Sequence, residues 1–194
     1  PVRAIKVGSI PSVAGIAILG ELLESQAAPL PLVVDPVVIE QEERNLSAGD
    51  TVLEAIQNHL FPLASVITPN LEEARVLTGQ KIVDMEGMET AARELLTRGA
   101  GAVLLKGGKF DGNTVHDILV DASGTQLFTH QAFPGRFHGT GCALSSAIAA
   151  GLALEKSLPE AVQDAIAYVQ SCLENSLAPV KGRLALLGHS PRYQ

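Results

Sequence analysis

Short apolar runs alternate with amphipathic segments along the first half of the chain. The runs predict β-strands, and they lie at 2–8, 31–38, 64–68 and 102–106. Between them, apolar residues recur at spacings of three and four, which predicts helices at 13–25, 49–60, 70–79 and 88–99. Alternation of this kind builds a mostly parallel sheet with helices on both faces.

The pattern changes after residue 106. Segments 115–121 and 125–131 are strand-like and flank Ala-Ser-Gly, which predicts an antiparallel hairpin. An uncharged helix is predicted within 138–154, and an amphipathic one from Ser157. We therefore expect an α/β fold whose hairpin lies toward one edge of the sheet. A chain of 194 residues is long enough for one core, so a single domain over 1–194 is expected.

Composition narrows the possible partners. Hydrophobic residues make up 46% of the chain and charged residues 18%, as in compact α/β proteins. The net charge of −7 argues against nucleic acid as a partner, and no membrane-type segment or signal peptide is visible. Two cysteines, Cys142 and Cys172, are too few for a disulfide scaffold, which favours a reducing cytoplasm.

The turn Gly139-Thr140-Gly141 precedes the uncharged helix. Glycines leave the backbone N–H groups open, and N–H groups at a helix N-terminus attract anions. The plainer alternative is a loop in which Thr140 caps a core helix, and the residues alone leave both open. Cys142 follows, where a helix N-terminus favours a thiolate. Its alternative, which we keep for Cys172, is a small buried apolar residue.

Four further polar residues follow predicted strands. Asp35 and Lys106 end two of them, and Asn70 with Glu73 begins the helix after a third. Strand ends of a parallel sheet meet at one edge, where ligands bind. Glu73 suits a hydrated Mg²⁺, and Lys106 a nucleotide phosphate. The alternatives are structural, namely an Asp-Pro turn at 35–36, a capping box at 70–73 and a surface lysine.

These motifs, taken together, resemble the ribokinase-like superfamily. They are "VVDPVV" (33–38), "VITPNLEEARVLTG" (66–79), "VLLKGG" (103–108) and "HGTGCALSSAIAAGLA" (138–153). Within the superfamily they are most similar to the hydroxymethylpyrimidine/phosphomethylpyrimidine kinases of thiamine biosynthesis. Cysteine at position 142, where many members have aspartate, is typical of that branch and of some pyridoxal kinases. The resemblance implies a three-layer sandwich, the cofactors ATP and Mg²⁺, and a homodimer.

The resemblance also implies roles for individual residues. The N–H groups of Gly139, Thr140, Gly141 and Cys142 would stabilise the transferring γ-phosphoryl group. Asp35 and Glu73 would lie at the Mg²⁺, and Lys106 with Asn70 at the nucleotide. Cys142 would be the base-position residue beside the substrate hydroxymethyl group, with Ser9 and Val37 also on the substrate side.

Three departures from the family pattern keep alternatives open. Ser9 stands where family members usually have methionine, and "IEQEERNL" (39–46) where they commonly have "AKSGD". The opening strand–helix units of the family are missing, which predicts that the fold continues before Pro1. A pyridoxal-type kinase and a catalytically inactive ligand-binding regulator therefore remain alternatives to the pyrimidine kinase.

Overall fold

The computed structural model describes residues 1–37, 46–110, 112–176 and 184–189 of the chain. Its strands are β1 (Ile5–Val7), β2 (Leu32–Val34), β3 (Val66–Ile67), β4 (Ala102–Gly108), β5 (Thr114–Asp121), β6 (Gly124–Gln131), β7 (Arg136–His138) and β8 (Leu184–Leu186). Its helices are α1 (Val13–Glu24), α2 (Leu46–His59), α3 (Leu71–Thr78), α4 (Met85–Leu96), α5 (Thr140–Ala153) and α6 (Leu158–Glu174), with a 3₁₀ turn at Phe61–Leu63. The altered segment at 39–46 lies outside the described residues except for Leu46.

Strands β1 to β6 form one sheet in sequence order. The pairs from β1 to β4 are parallel, whereas β5 pairs antiparallel with both β4 and β6. The β4–β5 register shifts between Leu105 and Gly108, which marks an irregularity just where β4 carries Lys106. The sheet confirms the predicted α/β fold with a hairpin at one edge.

The helices divide into two layers because β4 points alternate side chains to opposite faces. Val103 and Leu105 join a core cluster with residues of α1 to α4, such as Ile16 and Met88. Ala102 and Leu104 join the other cluster, to which α5 and α6 contribute. The result is the expected three-layer sandwich, with α5 and α6 alone on the second face of the described sheet.

Capping residues define the ends of the helices near residues 70–84. The Asn70 side chain accepts from the Glu73 N–H while the Glu73 carboxylate accepts from the Asn70 N–H, so a capping box starts α3. Gly79 ends that helix with a left-handed φ of 70°. Asp84 caps α4 by accepting from the Gly87 N–H. The helix therefore starts at Met85, three residues before the predicted start at 88.

Two short strands were not predicted from the sequence. β7 pairs parallel with β8 in a separate two-stranded sheet, with Arg136 opposite Leu184. Each strand has only three residues, which is too short for an apolar alternation to stand out. None of the helices in the described part of the chain is long and apolar enough to cross a membrane.

Candidate active site

Asp35 is the centre of a buried polar cluster at the carboxyl end of the sheet. It follows β2 directly and its exposed fraction is 3%. Thr68 donates its hydroxyl to Asp35 Oδ1 at 3.1 Å, and Ser145 donates to Oδ2 at 3.1 Å. A buried carboxylate needs such donors because it has lost its water. The structure thus places Asp35 at the predicted edge, fully surrounded by protein.

Lys106 provides the charge that balances Asp35. Its Nζ lies 3.2 Å from Asp35 Oδ1, and only 8% of the residue is exposed. The surface-lysine alternative is therefore wrong. A second lysine, Lys6 of β1, approaches Asp35 Oδ2 at 3.9 Å. Sequence analysis missed Lys6, although its place on a strand ending at the same edge is the signal that identifies it.

Glu73 lies beside this cluster in an unusual electrostatic state. Burial raises its pKa to about 7, against the opposing effects of the Lys106 charge and the Asn70 N–H, while the Asp35 charge raises it further. The backbone of Asn70 forms an isolated parallel β-bridge with that of Lys106, whose N–H donates to the Pro69 carbonyl at 2.9 Å. The capping box and the predicted functional position therefore coincide in the same two residues.

The glycine turn lies against the Asp35–Lys106 pair. Gly139 is the residue before α5, with φ 87° and ψ 3°, so the alternative in which Thr140 caps the helix is wrong. A Cβ on Gly141 would lie 3.4 Å from Lys106 Nζ and 3.9 Å from Asp35 Oδ2. The first N–H groups of α5 therefore open beside a lysine, which is an arrangement suited to an anion.

Ser145 joins the turn to the cluster. Besides donating to Asp35, its hydroxyl lies 3.0 Å from the Gly141 carbonyl and 3.2 Å from that of Cys142. Neither Ser145 nor Thr68 was singled out from the sequence. A serine within an uncharged helix is the only local signal, because its partner Asp35 is 110 residues away.

Cys142 is exposed, so the buried-apolar alternative is wrong for it, whereas Cys172 is buried as expected. Cys142 borders a groove between α5 and α6 that Tyr168 and His189 also line. Ser9 is exposed in the segment after β1. Val37 is half-buried after β2, and its N–H donates to the Asp35 carbonyl at 2.9 Å. These three residues are at the same end of the sheet but outside the Asp35 cluster.

A cavity of about 320 Å³ opens onto the turn and Lys106. Polar residues on its wall include Asn70, Lys106 and Thr140, together with the backbone of Gly141. Apolar side chains complete it, among them Val115, Phe133, Phe137, Leu144, Ile166 and Val169. A cavity with cationic and N–H groups beside apolar walls fits a ligand that carries both phosphate and a flat organic ring.

The same cavity contains residues that sequence analysis missed. Asp117, His130 and Gln170 line it, and His130 is hydrogen-bonded to each of the other two. The hairpin register pairs Asp117 with Phe128, which places His130 two residues farther along the same face of β6. The predicted hairpin therefore contained the signal, namely a carboxylate and an imidazole diagonally opposed on one face.

Similar proteins add to this geometry. Residues 1–186 match the family model described as phosphomethylpyrimidine kinase. The hydroxymethylpyrimidine/phosphomethylpyrimidine kinase of Streptomyces coelicolor is 36% identical over 97% of this chain and 68% of its own length. The thiamine biosynthesis bifunctional protein ThiED of Geobacter sulfurreducens is 39% identical over 98% of this chain, which spans 38% of that protein.

Solved structures agree with the sequence comparison. The pyridoxal kinase from Staphylococcus aureus in complex with AMP-PCP has a TM-score of 0.87 and 34% identity, covering 99% of this chain and 69% of that one. The phosphomethylpyrimidine kinase from Clostridium difficile 630 has a TM-score of 0.71 at 34% identity, covering 87% and 67%. The chain therefore belongs to the phosphomethylpyrimidine kinase family and has the ribokinase-like fold.

Proposed function

We propose that this chain transfers the γ-phosphoryl group of ATP to hydroxymethylpyrimidine and to its monophosphate. The observation that carries the proposal is the contact of the Gly139–Gly141 turn with the Asp35–Lys106 pair, because it joins N–H groups and a cation at one cavity. Several relatives are named as kinases of these two pyrimidines. Neighbouring structures hold AMP-PCP or ADP, which supports ATP as the donor.

In this proposal the protein acts mainly by positioning and by electrostatic stabilisation. The N–H groups of residues 139–142 face the charge that develops on the transferring phosphoryl group. Lys106 holds nucleotide phosphates with Asn70 beside it, and Asp35 keeps Lys106 in place through their 3.2 Å ion pair. Phosphoryl transfer requires little covalent chemistry from the protein, so this division of roles is sufficient.

The residues present fit Mg²⁺ at Glu73 better than at Asp35. Glu73 is 5% exposed, and burial raises its pKa because the charge of Lys106 and the Asn70 N–H only partly offset the cost of burying the anion. Asp35 already faces Lys106 and Lys6. Mg²⁺ is usually bound through one or two carboxylates and supplies charge neutralisation for the phosphates of a nucleotide. We propose Glu73 as the main carboxylate for the ion. Asp35 would contribute indirectly, by holding Lys106 and Lys6 in place.

Cys142 is proposed as the residue that faces the substrate hydroxyl group. Its side chain is exposed at the N-terminal turn of α5, where it can meet a substrate that arrives from solvent. Ser9 and Val37 follow the neighbouring strands β1 and β2 and are proposed to contact the same substrate. As a thiolate, the side chain at this position would accept the hydroxyl proton, becoming a thiol, as the oxygen attacks phosphorus.

A pyridoxal-type kinase is the second candidate. The specific observation in its favour is the TM-score of 0.87 to the pyridoxal kinase of Staphylococcus aureus. The deciding experiment measures phosphate transfer from ATP to hydroxymethylpyrimidine, its monophosphate and pyridoxal under identical conditions. Higher kcat/KM for the pyrimidines is expected. Transfer to pyridoxal alone would favour the second candidate, and nucleotide binding without any transfer would indicate an inactive regulator.

We further propose that residues 1–194 belong to a single kinase domain, without the family's N-terminal strand–helix units, and that the protein forms a homodimer. Ile18 and Leu22 are four residues apart on α1 and are 65% and 57% exposed. Apolar residues at this spacing share one helix face, which can be covered by a second copy. Sedimentation analysis is expected to give twice the 20.3 kDa of the chain, and Ile18→Lys is expected to shift the protein to the monomer.

A further inference from the structure

A chain of hydrogen bonds crosses the sheet from α6 to β4. The Gln170 Nε2 group lies 2.9 Å from His130 Nδ1, and His130 Nε2 lies 3.0 Å from Asp117 Oδ2. The other oxygen, Asp117 Oδ1, accepts the Gly107 N–H at 2.7 Å. The chain therefore ends on the backbone of the residue that follows Lys106, within the cavity described above.

Gly107 is a position that needs an external constraint. Its φ of +88° lies in the left-handed region, and the β4–β5 register is interrupted between Leu105 and Gly108. The regular ladder is therefore broken at this point, and the Asp117 carboxylate supplies the partner for the Gly107 N–H. Because Lys106 is the adjacent residue, Asp117 also fixes the path of the backbone that carries Lys106.

Asp117 in turn depends on His130. Asp117 is 3% exposed, and a buried carboxylate is costly without donors and a balancing charge. Because Asp117 accepts at Oδ2, the Nε2 of His130 must carry a proton, which leaves Nδ1 as the atom that changes protonation. The neutral ring accepts from Gln170 at Nδ1, whereas the imidazolium ring adds the positive charge that Asp117 requires.

We propose that His130 is a positioning residue whose proton sets the affinity of the cavity for nucleotide phosphates, by balancing Asp117 and so holding Gly107 and Lys106 in place. The inference rests on the proposed function in one respect, namely that this cavity binds the nucleotide. It predicts that His130 affects KM for ATP rather than kcat, since His130 acts on the phosphate-binding residues through Asp117 and Gly107.

The groups facing His130 set the direction in which its pKa moves. Asp117 on β5 and Lys109 after β4 are the charged ones, while α6 presents the uncharged Gln170. Burial by itself would lower the pKa of His130, but the hydrogen bond and charge of Asp117 outweigh burial and Lys109, so the pKa is raised. Above that pKa, Asp117 is an unbalanced anion in a cavity that receives phosphates, and nucleotide affinity falls.

The test is calorimetric binding of ADP between pH 6 and pH 9, without catalysis. The comparison is between the unaltered chain and His130→Gln, whose amide donates to Asp117 but does not titrate. We expect the unaltered chain to lose about fivefold more affinity over this range than His130→Gln, because only the unaltered chain loses a positive charge beside the cavity as the pH rises. Titration of ADP itself is common to both proteins and cancels in the ratio.

His59→Gln is the matched control, because His59 ends α2 and packs against Gly20 of α1, away from the cavity. It should follow the unaltered profile. A measurement that needs no variant is proton uptake on ADP binding at pH 8, obtained by titrating in buffers of different ionisation enthalpy. Net uptake is expected, because phosphates entering the cavity favour the charged form of His130.

Three results would overturn the inference. Parallel pH profiles for the unaltered chain and His130→Gln would show that the His130 proton is not linked to nucleotide binding. Absence of proton uptake at pH 8 would show the same without any variant. Failure to bind ADP at every pH would overturn this inference and the proposed function together, whereas the first two results leave the proposed function standing.

Discussion

The ammonium of Lys106 lies 3.2 Å from the Asp35 carboxylate, although 71 residues separate them in the chain. The pair joins the ends of β2 and β4, with β3 between them in the sheet. Both residues are more than nine-tenths buried. The ion pair is thus part of the fold as well as part of the proposed phosphate site.

Because the ion pair is buried, removing one of its partners should destabilise the fold strongly. Lys106→Met should lower the free energy of unfolding by about 3 kcal/mol, because it leaves Asp35 buried without its nearest charge. Lys6 remains 3.9 Å from Asp35 and moderates the loss. Urea denaturation measures the effect, with Lys81→Met at an exposed position as control. The double variant Asp35→Asn, Lys106→Met should recover part of the stability; no recovery would contradict the ion-pair explanation.

The two glycines of the turn should respond differently to alanine. Gly139→Ala places a side chain at φ 87°, so stability should fall by about 1–2 kcal/mol although no atom obstructs the Cβ. Gly141→Ala is inside α5 and should leave stability nearly unchanged. Its Cβ would lie 3.4 Å from Lys106 Nζ, where a phosphate is proposed to bind, so kcat/KM should fall about 10- to 100-fold. Unchanged turnover in Gly141→Ala would argue against the anion site.

Glu73 should make stability depend on pH in the metal-free protein. Its pKa of about 7 exceeds the ordinary 4.5, so the folded chain holds a proton that the unfolded chain releases between these values. Stability from this group is therefore lost as the pH rises through that window. Glu73→Gln, compared with the unaltered chain, should gain roughly 2–3 kcal/mol more at pH 8 than at pH 4.5.

Urea denaturation in EDTA at the two pH values measures this gain. Glu72→Gln is the matched control, since it makes the same substitution at the neighbouring residue, whose side chain is 64% exposed. Adding Mg²⁺ at pH 8 should then stabilise the unaltered chain but not Glu73→Gln. An equal effect of Mg²⁺ on both proteins would argue against Glu73 as the carboxylate that holds the ion.

Cys142 should tolerate replacement without loss of the fold, because its side chain is exposed. Cys142→Ser should lower turnover about 10² to 10⁴-fold if the thiolate of Cys142 accepts the proton, since a serine hydroxyl is far less acidic and stays protonated. Cys142→Asp should fold, because an exposed carboxylate stays hydrated. It should also retain measurable turnover, because a carboxylate can accept the same proton. Cys172→Ser, at a buried site, should instead lose stability. Full activity in Cys142→Ser would show that the thiol has no part in proton transfer.

The sequence predicted most of the sheet because each element carries its own apolar period. It also predicted that Asp35, Asn70, Glu73 and Lys106 share one edge, since the ends of parallel strands coincide. The sequence did not predict the hydrogen-bond partners of those residues. Ser145 reaches Asp35 across 110 residues, and only the packing of α5 on the sheet brings them together. The exposure of Cys142 likewise depends on tertiary packing rather than on local pattern.

The pairing of the sheet changes at β4, which is parallel to β3 on one side and antiparallel to β5 on the other. Lys106 lies on β4 and forms an ion pair with Asp35 at the end of β2, while the N–H of Gly107 donates to Asp117 of β5. A nucleotide bound here would contact groups that are tied to the strands on both sides of β4. Occupancy would therefore slow amide hydrogen exchange on both sides of β4 at once.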